Sequence, residues 1–349
     1  MTGFSLISRA GGTGGDWRRA AAALPPGGRL TIGVIARNGL PFLLPCLESL
    51  PPPDLFGGRL DIILVDSAST DGTTGAMTDF AFTRSDTRVY RLDGQVSAAV
   101  ARNTVLAHTR PGFLMLLDGD MVVEPDFLAT AFALVGAGRA GAVVGALREQ
   151  RFDADNNPEG GIIWRHPPEG PVPVTLTGGA ILLGPQVLEP GLRYDEKQKV
   201  CEDWDFALRL SGRHRILRIP DAMALHLTHY YFSPQRQMSY YRDLRPSAVG
   251  QLLRKHLTHP DRLMAVLNRE RGIVAGGILQ TLALLAAVTG SWPLALLTVA
   301  GLLADAGRAW RRGRVPEWAG TRLAGPWILL YGLLTPGPAL LRYAVRRIA

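Results

Sequence analysis

A short apolar segment that runs directly into two acidic residues constrains the fold of this chain most strongly. Phe113 to Leu117 is continuously apolar and is followed by Asp118, Gly119 and Asp120. A run of this length that ends in turn residues is typical of a buried strand, and α/β proteins bind ligands beyond the carboxyl ends of such strands. Two carboxylates there repel each other unless a cation lies between them. The segment therefore predicts a Mg²⁺ or Mn²⁺ site, although an isolated Asp-x-Asp is also an ordinary solvated turn.

Segments with the patterns of strands and helices alternate before and after this site. Strands are predicted at residues 30–36, 60–65, 89–92 and 113–117, and helices at 41–50 and 96–108. This alternation predicts a parallel sheet with right-handed crossovers, in which the loops after the first, second and fourth strands lie at one edge. Those loops contain Ala36, Arg37 and Asn38, then Asp66 and Ser67, then Asp118 to Asp120.

The last third of the chain differs from the rest in charge and hydropathy. Thirteen Lys and Arg stand against four Asp and Glu from Arg254 to Ala349, and residues 272–304 carry no formal charge. A membrane-spanning helix needs about 20 apolar residues, so this run predicts one spanning helix with a shorter return, or a tight hairpin. The alternative is a soluble domain with buried helices.

A second apolar run, residues 323–341, is interrupted at Pro336-Gly-Pro338, and each of its arms is too short to cross a bilayer. Three arginine clusters flank these runs. They are Arg269 and Arg271 before the first run, Arg308, Arg311, Arg312 and Arg314 between the runs, and Arg342, Arg346 and Arg347 after the second. If each run forms a hairpin, all three clusters fall on one face, as the positive-inside rule prefers. We therefore expect residues 251–349 to be a basic, helical, membrane-associated region, with the catalytic domain on the cytoplasmic side of the inner membrane. No zinc-finger spacing or RNA-binding aromatic signature supports a nucleic-acid partner.

The first 28 residues are rich in glycine and proline and are interpreted as a flexible leader, followed by a catalytic domain over residues 29–250. Cys46 and Cys201 lie far apart and have no CxxC partner, so the sequence predicts neither a disulfide framework nor a zinc site.

Five motifs between residues 30 and 230 resemble those of family 2 glycosyltransferases and occur in the order typical of that family. They are Ile32 to Asn38, Ile62 to Thr73, Val100 to Asn103, Leu116 to Asp120, and Thr177 to Ile181 with Cys201 to Asp205. The resemblance implies a GT-A type fold, which is a Rossmann-like mixed sheet that binds a nucleotide-sugar.

The resemblance also implies roles for residues on the donor side. Asp66 would accept a hydrogen bond from the base, Asp118 would face the ribose and diphosphate, and Asp120 would bind the metal. Arg102 would contact the diphosphate or the Asp118 loop, although a lone helical arginine often forms a structural ion pair. Ala36, Arg37, Asn38, Ser67 and Gly119 lie on the donor-binding loops.

On the acceptor side, the resemblance implies that Asp203 is the base that removes the proton from the acceptor hydroxyl. Glu202 and Asp205 would support the acceptor or shape the site. Acidic residues are also favoured in the first turn of any helix, which is the alternative explanation for all three. Thr177, Gly178 and Gly179 would lie under the donor sugar, or form a plain turn. His226 would be a third metal ligand beside Asp118 and Asp120, unless it has only a structural role.

One departure from the family pattern bears on the reaction. Processive polysaccharide synthases of this family carry Gln-x-x-Arg-Trp, and no Arg-Trp follows Gln235 or Gln237 at that distance. Transfer of a single sugar is therefore expected, from a UDP- or GDP-sugar to a lipid-linked or glycan acceptor. A catalytically inactive nucleotide-binding or scaffold protein is the alternative. A dinucleotide oxidoreductase is disfavoured, since no G-x-G-x-x-G follows the first strand.

Overall fold

The computed structural model describes residues 16–165, 167–229, 234–335 and 341–349. The chain divides into two compact units, one formed by residues 1–229 with 340–349 and the other by residues 230–339. The sequence predicted that the catalytic domain ends at residue 250, whereas the main segment of the first unit ends at residue 229. The difference arises because the helices that follow residue 233 contact one another and the final residues form a strand of the first unit.

The first unit contains eleven strands among its described residues, all in one sheet. The strands are β1 (Leu30–Ala36), β2 (Leu60–Ser67), β3 (Thr87–Gly94), β4 (Phe113–Asp118), β5 (Met121–Val123), β6 (Ala142–Phe152), β7 (Pro158–Arg165), β8 (Val172–Pro173), β9 (Ile181–Leu183), β10 (Ile216–His229) and β11 (Tyr343–Arg347). Its helices are α1 (Trp17–Ala23), α2 (Leu43–Glu48), α3 (Thr73–Phe82), α4 (Ala98–His108), α5 (Asp126–Gly136) and α6 (Glu202–Ser211). Two 3₁₀ turns lie at Pro53–Phe56 and Pro185–Val187.

The strands follow the order β11-β3-β2-β1-β4-β9-β6-β10-β5, with β7 on β6 and β8 on β10. Neighbours among β1 to β4 run parallel, whereas β9 pairs antiparallel with β4 and β6. Every residue of β1 and β2 is buried, as expected for central strands covered on both faces. The predicted mixed α/β sheet is confirmed.

The parallel strands bring the predicted donor loops to one edge of the sheet. Ala36 is paired with Asp66, and Ile35 is paired with Asp118. The turn at Gly119 is fixed by a backbone hydrogen bond from its N–H to the Ile35 carbonyl. A Cβ atom on Gly119 would lie 2.8 Å from the Ala36 Cβ, so a glycine is required for this close approach.

Two predictions about the ends of the chain need correction. Residues 17–23 of the expected flexible leader form helix α1, which buries Ala20 in the core, while residues 1–15 lie outside the described residues. The expected helical tail ends in strand β11, which pairs antiparallel with β3. Its Arg346 forms an ion pair of 2.7 Å with Asp93, so this part of the third basic cluster is bound to the sheet.

The second unit is helical. It contains α7 (Pro234–Arg242), α8 (Pro246–Lys255), α9 (Pro260–Arg269), α10 (Arg271–Thr289), α11 (Trp292–Arg311), α12 (Val315–Ala319), a π-helical turn (Gly320–Ala324) and α13 (Gly325–Leu334). Helices α10 and α11 pack against each other as a hairpin. The predicted break at residues 336–338 lies outside the described residues.

Candidate active site

The loops after β1 and β2 are joined by hydrogen bonds of both the backbone and the side chain of Asn38. Its backbone N–H donates to the Ser69 hydroxyl at 2.8 Å, and its side-chain carbonyl accepts from the Thr70 N–H at 2.9 Å. Asn38 adopts a left-handed backbone conformation with φ 49°, which asparagine tolerates better than most residues. Asn38 therefore shapes the donor loops through hydrogen bonds within the protein. Arg37 beside it is exposed.

Asp66 is fully buried at the end of β2 and is neutralised by Arg91. The Arg91 guanidinium lies 2.7 Å from the Asp66 carboxylate, which also accepts from the Thr74 hydroxyl at 2.8 Å. The neighbouring Ser67 is also buried. Arg91 was not predicted as a site residue, although its position in the sequence could have identified it. It lies in the predicted third strand and is the register partner of Asp66 across the parallel β2–β3 pair.

Arg102 joins two predicted halves of the site. It is 3% exposed, and its guanidinium lies 2.6 Å from the Asp118 carboxylate and 2.5 Å from the Glu202 carboxylate. Burial opposes its charge, but Asp118 and Glu202 outweigh this effect and raise its pKa. Its two terminal nitrogens, Nη1 and Nη2, are each occupied by a protein carboxylate. Of the two contacts predicted for Arg102, the structure therefore has the one with the Asp118 loop.

Gly179 allows this bridge to form. A Cβ atom at this position would lie 2.3 Å from both the Arg102 guanidinium and the Asp118 carboxylate, whereas a Cβ on Gly178 would have no neighbour within 4 Å. Thr177 is also buried. The predicted Thr-Gly-Gly segment therefore lies against the Asp118 loop, and only its second glycine is required by packing.

Asp120 and His226 form the part of the site that fits a cation. The His226 Nε2 lies 3.3 Å from one Asp120 oxygen, while the other Asp120 oxygen is buried and has no hydrogen-bond partner among the described residues. Burial lowers the pKa of His226, but the hydrogen bond to Asp120 and the charges around it reverse this effect and raise it. Burying a carboxylate oxygen without a partner destabilises a protein and is uncommon, and a bound cation would remove this cost in free energy.

No group of three His, Cys, Asp or Glu side chains within the described parts of the chain is arranged to hold a metal by itself. Mg²⁺ and Mn²⁺ commonly take one or two protein carboxylates and complete their coordination with water and substrate phosphates. Asp120, with Asp118 and His226 near it, fits this kind of incomplete site.

Helix α6 presents Glu202 and Asp203 in its first turn. Burial, together with the charge of Glu202, raises the pKa of Asp203 to about 7. A carboxylate with a pKa near neutrality can both accept and release a proton at physiological pH, which suits a general base. Glu202 is held by Arg102, so Asp203 is the carboxylate of this pair that is better placed to exchange protons.

Asp205, which was predicted to support the acceptor or shape the site, lies in the protein core. Its side chain is fully buried and its carboxylate lies 2.8 Å from Arg209, one helical turn further along α6. The residue therefore stabilises α6. The sequence pattern was ambiguous because three acidic residues share the first turn, and only the helix orientation separates those that face the site from the one that faces the core.

A loop that precedes α6 is anchored by Asn103, another residue absent from the predicted site. Asn103 exchanges two hydrogen bonds with the backbone of Tyr194, and its amide also donates to Glu196 at 2.8 Å. The Tyr194 ring stacks on Phe206 at 4.1 Å. These contacts fix the start of α6 relative to α4, and thus fix Glu202 relative to Arg102.

The sequence from residue 31 to residue 175 matches Glycosyl transferase family 2. The match covers 145 of the 349 residues of the chain. It includes β1 to β4 and the loops that carry Asn38, Asp66, Asp118 and Asp120, while Asp203 and His226 lie beyond it. No protein of curated function matches the sequence.

The fold is also similar to that of a solved mannosyltransferase. Mannosyltransferase PcManGT from Pyrobaculum calidifontis, in complex with GDP-Man and Mn²⁺, has a TM-score of 0.54 at 18% identity, over 94% of this chain and 98% of that one. S. aureus TarS 1–349 in complex with UDP has a TM-score of 0.48 at 15% identity, over 84% of this chain and 90% of that one. A structure of S. aureus TarS has a TM-score of 0.46 at 16% identity, over 66% of this chain and 44% of that one. The GT-A type fold predicted from the motifs is confirmed.

Proposed function

We propose that this glycosyltransferase transfers one sugar, with inversion, from a UDP- or GDP-sugar to a hydroxyl of a lipid-linked or membrane-proximal acceptor. The observation that carries the proposal is the Arg102 bridge. It holds Asp118 at the donor loops and Glu202 beside Asp203, so a donor carbon and a base are brought to one place. A fold-only scaffold would have no need for a carboxyl whose pKa is near 7 at that place.

In this proposal, each part of the site has a separate task. Asp66 and the loops locked by Asn38 bind the nucleoside, and Gly179 lies under the sugar. Asp203 takes the proton from the acceptor hydroxyl as its oxygen attacks the anomeric carbon from the face opposite the diphosphate, which inverts that carbon. Asp120, with Asp118 and His226, would hold Mn²⁺ or Mg²⁺, and this ion supplies charge stabilisation to the departing diphosphate. PcManGT, crystallised with GDP-Man and Mn²⁺, is consistent with such a donor and ion.

The reaction can be tested by incubating the full-length protein with a panel of UDP- and GDP-sugars and Mn²⁺ or Mg²⁺. We expect hydrolysis or transfer with one donor, loss of activity with excess EDTA, and a product whose anomeric configuration is opposite to that of the donor by NMR. Full activity in EDTA would reject the metal, and retention of configuration would reject Asp203 as a base in a single displacement.

Exposed apolar side chains on the helical unit support a membrane location. Helix α10 is 19 residues long, has a mean hydropathy of 1.9 over its most apolar window, and buries only 17% of that window. Large apolar residues remain exposed on both helices of the hairpin, for example Leu284 at 64%, Val288 at 76%, Leu297 at 73% and Leu303 at 68%. A core helix of a soluble protein would be mostly buried, whereas an exposed apolar surface of this kind is typical of a membrane or protein interface.

We therefore infer that the protein is bound to the inner membrane, with its catalytic unit in the cytoplasm. The full-length protein should sediment with membranes and should resist extraction by high salt, because burial of apolar groups in lipid is not screened by ions. Detergent should release it. A monodisperse protein without detergent would reject the membrane location while leaving the transfer reaction untouched.

A further inference from the structure

Two cavities lie on one face of α11 and differ sharply in character. The first is an apolar groove of about 330 Å³ between α10 and α11. Its walls include small residues from both helices, namely Ala283, Ala286, Ala287, Ala295 and Thr298, and it ends at Leu302. The small side chains leave room between the helices for an inserted hydrocarbon chain.

The second cavity has a volume of about 140 Å³ and lies at the C-terminal end of α11. Four arginines line it with two carboxylates, so its charge is positive: Arg308, Arg312, Arg314, Arg322, Asp305 and Glu317. Three of the arginines form ion pairs with these carboxylates: Arg308 and Arg322 with Asp305, and Arg314 with Glu317. Among the described residues, Arg312 has no carboxylate at ion-pair distance, which leaves a guanidinium available to an anion.

The two cavities are aligned along the helix. Ala295, Thr298 and Leu302 of the groove are followed by Asp305 and Ala309 of the charged cavity at alternating spacings of three and four residues, and Arg312 of that cavity is the C-cap of α11. Residues at these spacings share one face of a helix. The centres of the two cavities are about ten residues apart, or about 15 Å. This distance is about half the thickness of the hydrocarbon core of a bilayer, and thus the depth of one leaflet.

We propose that this face of α11 binds one anionic lipid, with its phosphate in the arginine cavity and a hydrocarbon chain in the groove. The charge of the cavity selects a phosphate, and guanidinium groups bind phosphate oxygens through paired, charge-assisted hydrogen bonds. A groove that continues from this cavity on an apolar hairpin selects an amphiphile over a soluble anion. The inference rests on the membrane location proposed above, but not on the sugar-transfer reaction.

The test uses the full-length protein in dodecyl maltoside and phosphatidylglycerol labelled with a fluorophore on one acyl chain. We expect saturable binding that unlabelled phosphatidylglycerol displaces, that phosphatidylcholine displaces at least about tenfold less well, and that 10 mM inorganic phosphate does not displace. Equal displacement by the two lipids, or complete displacement by inorganic phosphate, would overturn the proposal.

Two pairs of substitutions locate the lipid. Arg312→Gln should weaken binding about five- to tenfold, whereas Arg311→Gln, which removes the same charge from the adjacent residue outside the cavity, should change it less than about twofold. Ala295→Trp should fill the groove and weaken binding, whereas Ala300→Trp on the exposed surface of the same helix should not. Equal effects within either pair would show diffuse attraction or general perturbation and would overturn the assigned site.

The same variants separate this inference from the membrane proposal. Arg312→Gln should still sediment with membranes and resist high salt, because α10 and α11 keep their apolar surface. If the wild-type protein sediments with membranes but shows no specific lipid binding, the lipid site alone is rejected. A wild-type protein that is soluble without detergent rejects the membrane location.

Discussion

The two ends of the candidate active site balance their charges differently. At the nucleoside end, one buried carboxylate, Asp66, has its own arginine and two hydroxyl or amide donors. At the reaction end, four carboxylates share Arg102 and His226: Asp118, Asp120, Glu202 and Asp203. The first end is complete without a ligand. The second has an excess of negative charge, an Asp120 oxygen that has no partner in the described part of the chain, and a carboxyl group that holds its proton to about pH 7.

This difference indicates how the site divides its work. If the Asp66 end binds the nucleoside as proposed, its neutralised and hydrogen-bonded carboxylate is preorganised and would contribute mainly to binding. An end with excess negative charge is costly in the free protein and becomes favourable when a cation, a diphosphate and a proton from the acceptor are present. Interactions that become favourable during the reaction are those that raise its rate. Substitutions at the reaction end should therefore affect turnover, and those at the nucleoside end should affect binding and stability.

The largest effect is expected for Asp120→Asn. Loss of the metal-binding carboxylate should reduce kcat by about 10³–10⁴-fold, since metal ions supply several kcal/mol of charge stabilisation. The melting temperature should be unchanged or higher, because one repelling charge is removed. Asp126→Asn, an exposed substitution on α5 with the same charge change, is the control for activity. An active Asp120→Asn variant would mean that the reaction end does not need a cation there.

Asp203→Asn should reduce kcat by about 10²–10⁴-fold while nucleotide binding is retained. In the wild type, kcat/KM should rise as the pH increases through about 7, because Asp203 must lose its proton to act as a base. This rise should be absent from the residual activity of the variant. If Glu202→Gln lost activity and Asp203→Asn did not, the roles of the two residues would be reversed.

The same substitution should increase stability above neutral pH. The pKa of Asp203 is raised above its unfolded value, so the folded protein binds the proton more tightly and loses this stabilisation as the pH rises through about 7. Asparagine does not ionise, so the variant does not have to bury a negative charge at high pH. The melting temperature of Asp203→Asn should therefore exceed that of the wild type at pH 8, and the difference should shrink towards pH 4. A variant less stable than the wild type at pH 8 would contradict the charge imbalance at the reaction end.

Gly179→Ala tests the geometry of the Arg102 bridge without changing any charge. The added methyl group would lie 2.3 Å from Arg102 and Asp118 and must displace them. Displacement by about 1 Å can cost about 10²-fold in rate, so kcat should fall by that amount. Gly178→Ala, which has open space around its added methyl, should retain activity within about threefold. Equal activities of the two variants would show that the bridge tolerates movement.

The smallest effect on turnover is expected for Arg91→Gln at the nucleoside end. Nucleotide affinity should fall about tenfold and stability by about 1–3 kcal/mol, because the buried Asp66 loses its cation while Arg91 itself is partly exposed. The kcat at saturating donor should change little. Isothermal titration with UDP and GDP measures the affinity, and Arg88→Gln on the same strand is the control. A large fall in kcat without a change in affinity would remove the distinction between the two ends.

The sequence predicted the central strands well, because they depend on local patterns. β1 was predicted with the bounds observed, and the apolar run before Asp118 does form a buried strand. Partners that lie far apart in sequence were not predictable in this way. The contact of Arg102 with the Asp118 loop was among the predictions, but its second partner, Glu202, lies 100 residues away and was not predicted.

The remaining errors arose where one local pattern fits two environments. Asp205 looks like its acidic neighbours, but helix rotation turns it into the core. The basic segment at Tyr343 to Arg347 was interpreted as a membrane-facing cluster because it follows an apolar run. It forms β11 because the edge of β3 offers unpaired backbone groups, and an exposed strand edge is itself unfavourable.

Strand β11 changes the status of the helical unit from an appendage to an insertion. The chain leaves the sheet after β10 and returns to it at β11, so residues 230–339 are connected to the first unit at both ends. A single proteolytic cut between β10 and α7 would leave the helical fragment attached through the hydrogen bonds of β11. For the same reason, truncation after residue 229 would uncover the β3 edge. Excision with a linker from His229 to Leu341 is the way to obtain the catalytic unit with its sheet complete.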